Sequence, residues 1–154
     1  MKRHIVRPFF ALALIVAFGA AQAHEHKAPH KGTLIEFGEE FAHLELVVDA
    51  ASGKVSAYVL DGEAEKAVRV AQPEIEIKVS KAEKAGTGPA EAFSFTVKAQ
   101  ASVLTGEKVG DTSEFAGQSD KLKDLKVFDA VVAAIMVKGK EFKDVKFNFP
   151  KGNE

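Results

Sequence analysis

FAHLELVVD (Phe41–Asp49), AASG (Ala50–Gly53) and KVSAYVL (Lys54–Leu60) form the stretch that decides the fold. Successive residues of a strand point to opposite faces, so an alternating pattern marks a strand covered on one side. Ala42, Leu44, Leu46 and Val48 share one face, and Phe41, His43, Glu45 and Val47 share the other. Ala50–Gly53 is a short Gly-containing connection, and Lys54–Leu60 returns, so the segment predicts a β-hairpin. Asp61-Gly62 turns the chain again.

The same reading extends in both directions. Thr33–Phe37 is a short apolar strand candidate upstream, and Val68–Val70 is a brief one downstream. Pro73 marks a boundary. Glu74–Ser80 (EIEIKVS) alternates with Ile75, Ile77 and Val79 inward, and Ala92–Ala99 alternates through Phe93, Phe95 and Val97. Lys81–Pro89 reads as a charged loop, and Ser102–Ser119 as irregular. Ser119 is suited to cap a turn or two of helix over 120–125. Val127–Val137 is nearly continuously apolar and suits a central strand buried on both faces, although its alanines permit a helix. Gly139-Lys140 is a turn, and Val145, Phe147 and Phe149 mark a last strand. The expectation is an all-β domain over 33–150: an antiparallel β-sandwich, Ig-like or a small barrel, of about seven or eight strands, with at most one short helix.

The chain has 154 residues, with 21 Lys plus Arg against 22 Asp plus Glu, no Cys and no Trp. Residues 1–23 carry three bases (Lys2, Arg3, Arg7) and no acid, which leaves 131 residues with 18 bases and 22 acids, net −4. That is enough for one domain with a core, and it lacks the basic excess of a nucleic-acid binder. Lys2–Arg7 followed by the apolar run Phe9–Ala17 and the small residues Ala21-Gln22-Ala23 reads as a cleaved signal peptide over 1–23. The run is shorter than the ~20 apolar residues of a membrane span. A periplasmic location is expected, with no membrane insertion after cleavage. Without Cys there is no lipid attachment site, disulfide or thiolate metal site.

His24-Glu-His26-Lys-Ala-Pro-His30-Lys-Gly32 follows as a flexible His-rich leader over 24–32. Cleavage after Ala23 puts His26 third, and cleavage after Ala21 puts His24 third. A free amine, two backbone nitrogens and a third-position imidazole form a square-planar set suited to Cu(II) or Ni(II). Proline at positions two or three would block that set, and neither cut places one there. His43 and Glu45, two apart in a strand, share a face and offer an imidazole and a carboxylate. An alternative is a partly exposed strand face with no metal role. If the leader folds back over it, His43 joins the donors. Glu36, Glu39 and Glu40 make an acidic turn, and Asp111, Glu114, Asp120 and Asp124 lack the spacing of a calcium loop. No nucleophile elbow or phosphate-binding loop is present, and no enzyme activity is expected.

His30–Phe37 with Gly38, Ala42–Asp49 and Ser52–Asp61 resemble small exported bacterial β-rich proteins, and similar segments occur in periplasmic adaptor subunits of heavy-metal efflux systems. Thr105–Glu107, Ser113–Phe115 and Lys138–Phe142 extend the resemblance over most of 30–149. It implies an exported β-rich domain tied to metal resistance, with His30 and His43 at the matching positions and no catalytic residues. Lys31-Gly32 departs from the resemblance, which places Gly-Gly after the histidine.

The function expected is metal capture or transfer by a soluble periplasmic protein linked to heavy-metal efflux. Its metal residues are His24, His26, His30 and His43, with Cu(II) favoured over Zn(II) and Ni(II). Its partner would be an efflux adaptor or another periplasmic protein. The alternative is a protein-interaction module that presents the His43–Glu45–Tyr58 face or a sheet edge.

Overall fold

The computed structural model describes residues 26–86 and 88–153. The signal segment 1–23 and His24 lie outside the described residues. The described chain forms a nine-stranded antiparallel sheet: β1 Thr33–Phe37, β2 Ala42–Asp49, β3 Lys54–Leu60, β4 Glu74–Lys84, β5 Gly88–Ala90, β6 Phe93–Ala99, β7 Glu114–Gln118, β8 Leu125–Val137 and β9 Lys140–Phe149. Its order is β1-β2-β3-β7-β6-β4-β8-β9, with β5 paired to the end of β4. The sheet curls into a near-closed barrel. Among the described residues no helix is long and apolar enough to cross a membrane.

Alternation places the core. Ile35, Phe37, Leu44, Leu46, Val55, Ala57 and Val59 point inward from β1–β3, and Ile75, Ile77, Val97, Phe115, Phe128 and Val132 face them from the other strands. A barrel of about eight strands is just wide enough for side chains to fill it.

Several sequence boundaries shift. β4 runs on through Lys84 and pairs with β5, so the expected Lys81–Pro89 loop shrinks to the turn between them. Glu114–Gln118, inside the stretch read as irregular, is β7, held between β3 and β6. β9 begins at Lys140, directly after a turn at Lys138-Gly139. The helix candidate is a 3-10 turn, Asp120–Leu122, with the Ser119 side chain accepting from the Lys121 amide.

β8 is a strand as expected, but it is not buried on both faces: Val127 and Met136 are exposed while Phe128, Ala130, Val132, Ile135 and Val137 are buried. The inward positions change from even to odd numbers between Val132 and Ile135. Opposite that change lies Asp144 of β9 in the left-handed region, φ 51°. The pairing of β8 with β4 shifts register between Val79 and Lys81 and between Glu83 and Lys84, and such a bulge bends a strand and lets it wrap the barrel.

The first and last strands meet at a seam. There the residues after β9 complete the edge of β1. Asn153 Oδ1 accepts from the Glu36 amide at 2.7 Å, and its Nδ2 donates to the Glu36 carbonyl at 3.1 Å. Thr33 Oγ1 donates to the Pro150 carbonyl at 3.2 Å. One side chain thus supplies both hydrogen bonds that a neighbouring strand would give, covering an edge that would otherwise invite another chain.

Asn153→Ala should therefore cost about 1–2 kcal/mol, two hydrogen bonds' worth. It should also speed hydrogen exchange at the Glu36 amide more than at core amides. Equal protection at Glu36 in the variant would show that the seam does not depend on Asn153.

Candidate functional site

The candidate site lies outside the barrel, on the face of β1–β3 opposite the core. Five consecutive residues of β2, from Ala42 to Leu46, are buried, so both faces of this strand are covered. Strand register puts Glu45 beside Leu34 and Tyr58, and His43 beside Glu36 and Leu60. His43 and Glu45 are both fully buried. The reading of this face as partly exposed is thereby overturned. Two segments remote from local strand patterning cover it.

The first cover is the loop after β3. Asp61 folds it: its carboxylate accepts from the amides of Glu65 and Lys66 at 3.0 and 3.1 Å, and its own amide donates to the Lys66 carbonyl at 2.8 Å. Ala64 is thereby packed over Leu34 and Leu60. Burial pushes the Asp61 carboxyl up, but those amides and the charges of Lys66 and Lys138 outweigh it and hold the group below its ordinary value. The Asp61 carbonyl lies 3.0 Å from His43 Nδ1. A carbonyl oxygen can only accept, so Nδ1 carries the proton and, in the neutral ring, Nε2 carries the lone pair.

The second cover is the leader. Residues 26–32 sit against the sheet, turning through a Lys31 amide to Ala28 carbonyl bond of 3.1 Å, with Ala28 packed on the Leu34–Leu60–Ala64 cluster. Glu45 holds this segment. Its Oε1 accepts from the amides of His30 and Gly32 at 2.7 and 2.8 Å, and its Oε2 lies 2.7 Å from His30 Nδ1. The His30 ring stacks on Tyr58 at 3.8 Å between centroids and 13° between planes. The His26 ring meets that of His43 edge-on, 4.8 Å between centroids.

Gly32 and Lys31 set how closely the leader approaches. A Cβ on Gly32 would stand 2.7 Å from the Leu46 carbonyl and 2.8 Å from Val47 Cγ2. Lys31 has φ 60°, the left-handed region that favours glycine. The departure from Gly-Gly noted in the sequence thus falls at a position where glycine would relieve strain.

Two of the four candidate histidines, His26 and His43, are brought ring to ring. His30 is drawn instead to Glu45 and Tyr58. His24 lies outside the described residues. Glu45, offered by the sequence as a ligand, has both oxygens occupied by N–H groups and serves as an anchor. Among the described residues no group of three or more His, Cys, Asp or Glu is placed to hold a metal ion. Three of the weaker candidates have structural partners: Glu36 accepts from the Glu40 amide at 2.6 Å, Asp111 pairs with Arg69 at 3.1 Å, and Asp120 pairs with Lys123 at 2.7 Å. The sequence reading missed the roles of Gly32 and of the loop begun by Asp61. The only signals were an alternating strand carrying two polar residues, His43 and Glu45, and the Asp61-Gly62 turn that closes the return strand.

No known protein family, curated protein or solved structure matches the chain.

Two outcomes follow from this geometry. Gly32→Ala should lift the leader and cost about 1–3 kcal/mol by overpacking, whereas Lys31→Gly should stabilise by about 0.5–1 kcal/mol. Urea unfolding of both variants checks the opposite signs; a neutral Gly32→Ala would contradict the seat described. The second outcome concerns pH. The Asp61 carboxyl is held low in the folded state, so its contribution is present near neutrality and is lost as pH falls through and below the ordinary carboxylate range. Asp61→Asn should flatten that acid limb of stability, and an unchanged limb would contradict the assignment.

Proposed function

We propose that the chain is an exported metal-binding protein of the periplasm, taking Cu(II) in preference to Zn(II) or Ni(II) as cargo. His24, His26 and His43 would supply imidazoles to the main site, and His30 would lie beside it. The observation that carries the reading is the seating of the leader on β1–β3, which sets His26 against His43. The described donors do not make a complete site, so the remaining ligands would come from His24 and the processed amino terminus. An amine and deprotonated backbone nitrogens upstream of His26 complete a planar nitrogen set of the kind Cu(II) prefers. His43 then adds a donor whose Nδ1 is fixed by the Asp61 carbonyl, the arrangement that orients a ligating imidazole.

A second reading, a protein-interaction module, draws on one observation. Val103 and Leu104 are 100% and 96% exposed, on a loop tied by Arg69 Nη2 to the Thr105 carbonyl at 2.5 Å and by Glu107 to Ser113 Oγ at 2.6 Å. Two aliphatic side chains held in water on a braced loop suit a partner's apolar surface.

The test is a Cu(II) titration of signal-processed, tag-free protein followed by visible absorption and electron paramagnetic resonance. The metal reading expects one tightly bound ion in a planar nitrogen-rich field, lost on changing His24 and His26 together to alanine. Absence of tight binding in the wild type would overturn it and leave the interaction module.

A further inference from the structure

We propose that Glu45 and Tyr58 are positioning residues that preset His30 as an Nε2 metal donor; this rests on the metal reading above and adds a donor site to it. Carboxylate oxygens accept hydrogen bonds, so the 2.7 Å contact from Glu45 Oε2 puts the proton of a neutral His30 on Nδ1. The lone pair is then on Nε2, at the opposite side of the ring from Glu45. The carboxylate cannot swing aside, because its other oxygen holds the amides of His30 and Gly32 and the group is fully buried. One acid thus grips both the backbone and the ring of the same histidine.

Tyr58 removes the remaining rotation. It lies directly across from Glu45 in the β2–β3 register, and its ring is nearly parallel to that of His30. The stack fixes the imidazole plane while the His30 side chain stays 44% exposed and open to an ion from solvent. An anchor for the leader would need only the two backbone amides. The added ring contact selects a tautomer, and a hydrogen-bonded carboxylate behind a histidine is the usual way a ligating imidazole is oriented and made more basic.

Glu45→Gln separates anchoring from tautomer selection. The glutamine oxygen still accepts from the His30 and Gly32 amides, but its NH2 faces Nδ1 and donates to it. The proton then moves to Nε2 and removes the donor lone pair. Tyr58 provides the readout, being the single Tyr in a chain without Trp.

At pH 8, long-range imidazole nitrogen NMR of the full processed chain should show His30 protonated at Nδ1 in the wild type and at Nε2 in Glu45→Gln. Cu(II) should quench Tyr58 emission in the wild type, and Glu45→Gln should need at least about tenfold more Cu(II) for the same quenching. If Glu45→Gln does not fold, the wild type decides alone. An Nε2–H tautomer, or Tyr58 emission unquenched while copper is bound elsewhere, overturns this proposal and leaves the metal reading standing. An Nδ1–H tautomer with quenching supports it. Wild-type protein that binds no Cu(II) overturns both.

Discussion

The Glu45 carboxylate is the constraint on which the outer face of β1–β3 depends. A buried carboxylate is tolerated only when its oxygens are filled by donors. Here two backbone amides and one imidazole fill them, and all three come from the leader. Among the described residues the leader in turn has no strand pairing of its own to hold it. Acid and segment therefore stabilise each other: the leader shields Glu45 from water, and Glu45 orders a stretch whose sequence carries no periodic apolar pattern.

The barrel explains why the buried polar side chains gather outside. Its interior is filled by Ile35, Phe37, Leu44, Ile77, Phe115 and Phe128, leaving His43 and Glu45 to the outer surface. On most strands that surface is open to solvent. On β1–β3 it carries a second, smaller apolar cluster, Leu34, Leu60 and Ala64, beneath the leader and the loop begun by Asp61. His43 and Glu45 lie in this second layer. Their histidine partners arrive from the leader, so the arrangement joins the amino-terminal segment to a rigid frame. Rigid support of this kind is what a donor set needs to hold its geometry.

The strands were legible where one face is apolar and the other polar, as in Ala42–Asp49 and Glu74–Ser80. They were less so where the pattern is diluted. Glu114–Gln118 has a single large apolar residue, Phe115, and becomes a strand only because β3 and β6 flank it. Ser80–Lys84 is mostly polar because it lies at the rim, where only Ala82 turns into the core and Ala82–Lys84 pair with β5. Val127–Val137 reads as doubly buried because Val127, Val131 and Met136 are apolar, yet these stand on the outer face. At the site, the shared face of His43 and Glu45 followed from period two alone. Their burial did not, since it comes from contacts 15 and 18 residues apart in sequence. The positive φ of Lys31 was foreshadowed only by the missing glycine of the resemblance.

A crystal structure of signal-processed protein grown with one equivalent of Cu(II), read by anomalous scattering at the copper edge, would place the ion. Copper held by the seated leader gives a single strong peak between the leader and the outer face of β2, within bonding distance of a leader imidazole. A peak on another face of the barrel, with the leader still seated on Glu45, would contradict it.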